Sequence, residues 1–238
     1  MPKDMIVAEI KKELAKLADP QTASFSKRFF KTGPGDYGDG ALFRGIRVPL
    51  LRRLSRKYQG ITLPEAEQLL RSSFHEDRLL ALLLLVHLYS KGNEVIRAKI
   101  YDLYLKNTTF INNWDLVDSS AEHIVGAFLW DRERRPLYHL AKSSGLWERR
   151  IAIIATFHFI KRCEFRETLK VARMLLSERE NLIHKAVGWM LREVGKRNVK
   201  AEEDFLRENY KQMPRVMLRY AIEGFPEEKR RRYLKGEI

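Results

Sequence analysis

The sequence predicts an all-α protein in which helix pairs stack into a superhelical solenoid. Apolar residues recur at helical spacing along the whole chain, whereas the alternation that is typical of strands is nearly absent. The apolar-rich helices recur at nearly constant intervals of 37, 35, 35 and 34 residues, with one shorter, more polar helix between them. The residues that mark these intervals are Arg78, Asp115, Arg150, Lys185 and Arg219. A helix-pair unit of this length is typical of HEAT-like or armadillo-like repeats, which bury their apolar faces against their neighbours.

Equivalent helices of such a solenoid line one concave surface. Four of the five marker residues are basic, so the sequence predicts a concave basic groove, which suits the backbone of a nucleic-acid duplex. The formal charge of +14 also indicates a polyanionic partner, with nucleic acid as the first candidate and an anionic membrane surface as the second.

The length of 238 residues is ample for a full core. We expect a single domain over residues 1–238, with residues 1–60 as a cap and the repeats over about 62–238. Cys163, the one cysteine, excludes an internal disulfide and fits a reducing compartment, and we interpret it as a small filler residue. No apolar run could span a bilayer, and residues 1–16 are charged throughout, unlike a signal peptide. These observations favour a cytoplasmic, nucleoid-associated monomer without membrane contact.

Capping residues and breakers place the helices in order. Residues 4–17 form an amphipathic helix and residues 23–31 a second one, followed by a glycine-rich loop over residues 33–40. The loop lacks the spacing of a phosphate-binding loop, so we interpret it as a surface connection. Start signals are Pro49, Thr62 with Glu65, Pro214 and Pro226. Helices are also predicted over residues 76–89, 94–105, 113–129, 132–141, 147–160, 165–176, 182–196 and 200–211.

The helix that begins after Asn113 carries an acid in its apolar stripe. Asn113 is a plausible N-cap, and Trp114 and Asp118 lie four residues apart, which places both on one helical face. A carboxylate in an apolar stripe needs a cationic partner, hydrogen bonds or a chemical role. Arg150, at the head of the stripe of the next apolar helix, is a candidate partner for Asp118, and a purely structural ion pair is the alternative to a catalytic role.

The predicted helix over residues 182–196 has a core face and a basic face. The basic face carries Lys185, Trp189, Arg192 and Lys196 at spacings of 4, 3 and 4. Trp189 could pack against an adjacent repeat beneath the basic side chains. Alternatively, it meets a base or sugar while Lys185 and Arg192 hold phosphates.

Familiar catalytic motifs are absent. The six histidines show no metal-ligand spacing, and neither a serine-hydrolase motif nor an activated cysteine is present. We therefore expect no metal and no cofactor. A hydrolase with this sequence would have to use a carboxylate in an aromatic, basic groove.

The chain resembles the HEAT-like DNA glycosylases of the AlkC/AlkD type, which remove alkylated purines, and it looks closest to the AlkD branch. Three segments carry most of the resemblance, and it extends over nearly the whole chain. The three segments are Asn113-Trp114-Asp115-Leu116-Val117-Asp118, Trp147-Glu148-Arg149-Arg150-Ile151-Ala152 and Lys185-Ala186-Val187-Gly188-Trp189-Met190-Leu191-Arg192-Glu193. Supporting matches lie at residues 31–38 and 217–221.

The resemblance implies a role for each matching residue. Asp118 would be the essential carboxylate, Trp114 and Trp189 would flank the sugar and phosphate of the lesion, and Arg150 and Arg192 would contact the DNA backbone. We add Arg149 and Lys185 to the expected DNA-binding residues from their positions in the basic stripes. One departure is Phe29, where proteins of the AlkD type carry a tyrosine.

The expected activity is monofunctional hydrolysis of the N-glycosidic bond of N3- or N7-alkylated purines, such as 3-methyladenine and 7-methylguanine, in duplex DNA. The family is thought to leave the lesion stacked rather than flip it. Because relatives exist that bind DNA without excising bases, a non-catalytic HEAT-like DNA-binding or scaffold protein is the alternative. An RNA-binding repeat protein is a weaker third reading, since no base-reading pair recurs in each repeat.

Overall fold

The computed structural model describes residues 5–238, and these residues fold into α-helices and the segments that join them. No β-strand forms among them; the only strand-like pairing in this range is an isolated bridge between Leu42 and Phe74. The all-α class predicted from the sequence is therefore confirmed. The helices are α1 (Met5–Lys16), α2 (Pro20–Phe29), α3 (Val48–Lys57), α4 (Leu63–Leu70), α5 (His75–Lys91), α6 (Glu94–Lys106), α7 (Trp114–Asp118), α8 (Arg135–Ala141), α9 (Leu146–Ala155), α10 (Phe157–Ile160), α11 (Arg166–Met174), α12 (Asn181–Gly195), α13 (Val199–Asn209), α14 (Arg215–Ala221) and α15 (Glu227–Lys235).

The chain forms two compact units that meet in the sequence between Ser120 and Ala121. In the first unit, α5 is the central helix and contacts α3, α4, α6 and α7. In the second unit, α12 is central and contacts α9, α11, α13 and α14. Each unit therefore has one central helix packed against its neighbours; α5 is buried over most of its length, whereas α12 buries one face and exposes the other.

Most of the predicted start signals are confirmed. Pro49 lies in the first turn of α3, and the Glu65 carboxylate accepts hydrogen bonds from the backbone and the hydroxyl of Thr62 at 2.8 and 2.6 Å. Pro214 and Pro226 are the N-caps of α14 and α15. The first helix was predicted to begin at residue 4, which lies outside the described residues.

Two predicted helices are interrupted in the structure. The predicted helix over residues 113–129 ends at Asp118 and continues, after a turn, as a π-helical segment, Glu122–Gly126. The Ser120 hydroxyl donates to the Leu116 carbonyl at 2.6 Å, and such a bond competes with the helical ladder. The helix predicted over residues 147–160 divides at Thr156, whose hydroxyl likewise donates to the Ile153 carbonyl at 2.6 Å.

Two smaller predictions are also wrong. The helix predicted from residue 132 begins at Arg135, because Pro136 has no backbone N–H to donate and suits the first turn. Cys163 was interpreted as a small filler residue, but it is exposed and has a positive φ of 57° in the turn after α10. It therefore fills no space in the core.

Candidate functional site

Helix α7 carries the two residues that the sequence analysis singled out first. The Asn113 side-chain oxygen accepts from the Trp114 N–H at 2.8 Å, so its role as N-cap is confirmed, although the donor belongs to the first helical residue. Trp114 and Asp118 are the first and last residues of this five-residue helix. Both are half-buried, and their spacing of four places them on one face.

Trp114 lies in a cluster of aromatic side chains in the first unit. Its ring centroid is 5.9 Å from that of Phe29 and 5.4 Å from that of Phe30. Phe29 is 54% exposed and stacks on Phe25 of the same helix, with ring centroids 6.1 Å apart. The position at which the resemblance to proteins of the AlkD type implies a tyrosine is thus an exposed phenylalanine ring against Trp114.

The charge of Asp118 acts on a buried hydroxyl. Tyr104 is fully buried, and its hydroxyl forms a hydrogen bond of 2.9 Å with that of Ser120. Burial raises the pKa of Tyr104, and the negative charge of Asp118 raises it further. Tyr104 therefore stays neutral and adds no negative charge near Asp118.

The other acid of α7, Asp115, anchors the helix to α5. Its carboxylate accepts from the Leu116 N–H at 3.0 Å and lies 2.8 Å from Nε2 of His75, a residue that is 2% exposed. Arg78, also on α5, is buried; burial lowers its pKa, while the charges of Asp115, Asp77 and Glu76 oppose that shift. The sequence analysis missed this arrangement because the partners lie about 40 residues apart.

A cavity of about 830 Å³ opens beside Trp114 within the first unit. Helices α2, α3, α5 and α7 and the segment before α3 contribute to its walls, which are mostly apolar. The Glu76 carboxylate fixes that segment by accepting from the N–H groups of Arg44, Gly45 and Ile46 at 2.9, 2.8 and 3.2 Å. No motif in the sequence indicates this cavity, because its walls come from four separate helices.

In the second unit, Arg149 and Arg150 both reach toward the start of α12. The Arg150 guanidinium is buried and donates to the Leu182 carbonyl at 2.5 Å. Arg149 donates to the Ser143 and Ser144 carbonyls at 2.9 and 2.7 Å and lies 3.1 Å from the Glu178 carboxylate. Arg149 and Arg150, two of the three arginines predicted to bind DNA, thus have partners within the protein.

Helix α12 has the two faces that its sequence predicts. Ile183, Ala186, Val187, Met190, Leu191 and Val194 are buried, whereas Lys185 and Lys196 are exposed. Trp189 is half-buried, its ring centroid lies 5.8 Å from that of Phe157, and its Nε1 donates to Glu193 at 3.3 Å. Arg192 pairs with Glu223, a side chain that is 58% exposed. Phe157 lies in the apolar helix of the preceding predicted repeat, so this contact is the packing against an adjacent repeat that the sequence left as one alternative for Trp189.

Residues 5–238 contain neither a cluster of metal ligands nor a membrane-spanning helix. Over residues 5–238, no group of three or more histidine, cysteine, aspartate or glutamate side chains could hold a metal ion. No helix in the same range has both the length and the apolar character needed to cross a membrane.

Solved structures with the same fold come from two bacteria. A predicted DNA alkylation repair enzyme from Enterococcus faecalis superposes with a TM-score of 0.67 at 17% identity, covering 88% of this chain and 97% of that one. AlkD2 from Streptococcus mutans gives 0.57 at 16% identity, with 94% and 99% covered. A third structure, smu.31 from Streptococcus mutans UA159, gives 0.53 at 16% identity, with 87% and 98% covered.

These likenesses show the fold, which is the helical-repeat fold expected from the sequence. A search of curated proteins found no match. The sequence matches the profile of the family described as DNA alkylation repair enzyme over residues 10–225, which is most of its length. The chain therefore belongs to the DNA alkylation repair enzyme family.

Proposed function

We propose that this protein is a monofunctional DNA glycosylase that releases cationic N3- or N7-alkylated purines, such as 3-methyladenine and 7-methylguanine, from duplex DNA. Membership of the DNA alkylation repair enzyme family supports a repair enzyme. The observation that carries the finer proposal is that α7 presents Trp114 and Asp118, both half-buried, on one helical face. A carboxylate beside an electron-rich ring favours a sugar that becomes positively charged.

The proposed reaction breaks the bond between C1′ of the sugar and the alkylated purine. The bonding electron pair leaves with the purine, which was cationic and departs neutral, so no strong general acid is needed. The sugar becomes an oxocarbenium-like cation, and the Asp118 carboxylate stabilises its charge and orients a water molecule. The water oxygen bonds to C1′, and its proton passes to the carboxylate or to solvent. We expect no lyase step, because no lysine stands out as an amine nucleophile.

In this proposal, Trp114 and Trp189 flank the sugar and phosphate of the lesion nucleotide, and the base stays stacked. Arg150, Arg192, Arg149 and Lys185 bind the DNA backbone along a concave basic groove. The partners that these arginines have in the structure would have to be exchanged for phosphate groups. Arg192 can exchange the exposed Glu223 carboxylate for a phosphate, whereas Arg149 would have to give up Glu178 and two carbonyl partners. We therefore expect Arg192 and Lys185 to contribute more to DNA affinity than Arg149.

A DNA-binding protein that excises no base is the second candidate. One feature favours it: Phe29 contacts Trp114 at a position where the resemblance to proteins of the AlkD type implies a tyrosine, so the ring there lacks a hydroxyl. Both candidates share the rest of the proposal: alkylated duplex DNA as partner, a monomer, no cofactor and a location at the nucleoid in the cytoplasm.

Incubation of the purified protein with duplex DNA that contains 7-methylguanine or 3-methyladenine separates the two candidates. We expect the free base to appear in solution and abasic sites to accumulate without strand cleavage. Binding of the same duplex without release of base would establish the non-catalytic reading instead.

A further inference from the structure

The cavity of the first unit is unexplained by the proposed reaction. Asp118 is not among the residues that line it, whereas Trp114 and Asp115 are. Its volume of about 830 Å³ lies in the range of small-molecule sites, which are mostly apolar and contain a few placed polar groups. Aromatic rings dominate the lining: Phe25, Phe29, Phe30, Phe43 and Trp114.

One buried polar atom in the cavity wall lacks a partner. His75 is 2% exposed, and Nδ1 of its ring has no hydrogen-bond partner among residues 5–238. The other ring nitrogen, Nε2, faces the Asp115 carboxylate at 2.8 Å. Because an ionised carboxylate only accepts, Nε2 carries the proton in the neutral ring, which leaves Nδ1 as an acceptor. A ligand with an N–H or O–H group would satisfy this acceptor.

The acidic groups of the wall are already engaged. Glu76 accepts from the Arg44, Gly45 and Ile46 backbone, and Asp19 caps α2 by accepting from the Thr22 N–H at 2.9 Å. Asp115 is held by His75. The cavity therefore offers aromatic faces, the Nδ1 acceptor and the polar side chains of Gln21, Thr22, Ser26 and Arg47, and it has no spare carboxylate for a metal ion or a basic peptide.

The aromatic lining extends to the surface. Phe25 and Phe29, successive turns of α2, are 60% and 54% exposed, and their rings are nearly parallel with an interplanar angle of 16°. Two large exposed rings that also line a cavity are costly in water and are suited to a planar aromatic ligand. Stacking on Phe or Trp faces is available to every nucleobase.

We propose that this cavity binds a free purine base, with its ring against the phenylalanines and one of its N–H groups donating to Nδ1 of His75. The occupant is the alkylated purine that excision releases, and in naming it the inference rests on the proposed function. Trp114 belongs both to the face of α7 that carries Asp118 and to the cavity wall, so the cavity lies next to the place where breakage of the glycosidic bond frees the stacked base. Free 7-methylguanine carries ring and exocyclic N–H groups that fit the acceptor.

Titration calorimetry with free 7-methylguanine tests the proposal on the whole protein without DNA. Ser26→Phe places a ring in the cavity, since Ser26 lines it, and we expect the dissociation constant to rise about tenfold or more. Ser24→Phe is the matched control: Ser24 is exposed on the same helix and does not line the cavity, so its affinity should equal that of the wild type. Phe25→Ala, a change at an exposed ring, should weaken binding about tenfold without threatening the fold.

Each outcome of these measurements supports or refutes the cavity proposal or the proposed function. Saturable binding that Ser26→Phe and Phe25→Ala weaken, with Ser24→Phe unaffected, supports the site. Absence of saturable binding, or equal binding by Ser26→Phe and Ser24→Phe, overturns it. A wild-type protein that excises alkylated bases but binds no free base refutes the cavity proposal alone, whereas one that binds the base but excises nothing refutes the proposed function alone.

Discussion

One hydrogen bond holds the first turn of the helix on which the proposed chemistry depends. Asp115 and His75 join α7 to α5, and the bond is shielded because His75 is 2% exposed. Trp114 and Asp118 extend from the same five residues, so their position depends on this anchor. Asp115 is thus a positioning residue rather than a group that touches the substrate.

We expect Asp115→Ala to lower the free energy of unfolding by about 1–3 kcal/mol, because it leaves Nε2 of His75 buried without a partner. Urea denaturation measures the change. Asp131→Ala is the control, since Asp131 is 69% exposed and pairs only at the surface with Arg132, and such pairs contribute little. An Asp115→Ala variant as stable as Asp131→Ala would show that the bond does not anchor α7.

A second residue makes stability depend on pH. Burial, followed by the charge of Glu203, raises the pKa of Glu202 from 4.5 to about 8, against opposing effects of Lys229 and Arg192. The folded state therefore keeps a proton that the unfolded state loses near pH 4.5. The stability that this proton confers is full below about pH 4.5 and is lost as the pH rises to about 8.

In the wild type we expect Glu202 to lower the free energy of unfolding by at most about 1.4 kcal/mol per pH unit across that window. Glu202→Gln cannot ionise, so its melting temperature should fall less between pH 5 and pH 8. Melting curves of wild type, Glu202→Gln and Glu208→Gln measure this, the last being a control because Glu208 is 64% exposed on the same helix. Parallel pH profiles for all three proteins would exclude a buried, protonated Glu202.

At the scale of the elements, close contact between α12 and α14 depends on a glycine next to Trp189. A Cβ atom at Gly188 would lie 2.5 Å from both the Met217 carbonyl oxygen and Cβ of Tyr220. The glycine in the sequence Gly188-Trp189 therefore lets the two helices approach. This contact also fixes the helix on which Lys185, Trp189 and Arg192 lie.

Gly188→Ala should destabilise the protein by about 1–3 kcal/mol, because the added methyl group forces packed backbone apart. Gly224→Ala is the matched control, since nothing lies within 4 Å of the Cβ that it would add. Chemical denaturation of both variants gives the comparison. Equal stability of the two variants would mean that α12 and α14 can separate without cost.

The helices also show how much of the fold could be predicted from the sequence. Apolar periodicity and capping residues were enough for the all-helical class and for starts such as Pro49 and Pro214. They could not reveal the break after Asp118, because competition from the Ser120 hydroxyl and the π-helical segment depend on local geometry rather than on periodicity. Trp114 and Asp118 could be identified because an acid lies in the apolar stripe of one helix. The cavity could not be predicted, because its walls come from helices that are distant in the sequence.

At the scale of the whole molecule, the charge of +14 governs the encounter with DNA. Basic side chains that bind phosphates release counterions, so affinity falls as salt rises. We expect binding to duplex DNA with little preference for sequence and a steep dependence on salt, measured by fluorescence anisotropy between 50 and about 200 mM salt. An affinity that is flat over this range, or a strong preference for one sequence, would contradict the prediction.

Lys185→Gln tests whether α12 takes part in that binding. Lys185 is exposed and beside the ring of Tyr220, so its removal should leave the fold intact. If it holds a phosphate, the slope of log affinity against log salt should become shallower by about one. Lys12→Gln, at an exposed lysine of α1, is the control. An unchanged slope for Lys185→Gln would remove Lys185 from the proposed interface.

The most direct test of the catalytic proposal compares Asp118→Asn with the wild type in three measurements on the same purified proteins: excision of 7-methylguanine from duplex DNA, affinity for that duplex and thermal melting. Asparagine keeps the size of the side chain but removes the charge that would stabilise the sugar cation. We predict that excision falls by about a hundredfold or more, while melting stays near wild type and DNA affinity is equal or higher. A large fall in melting temperature would make Asp118 a structural residue, and excision at the wild-type rate would contradict the proposed mechanism.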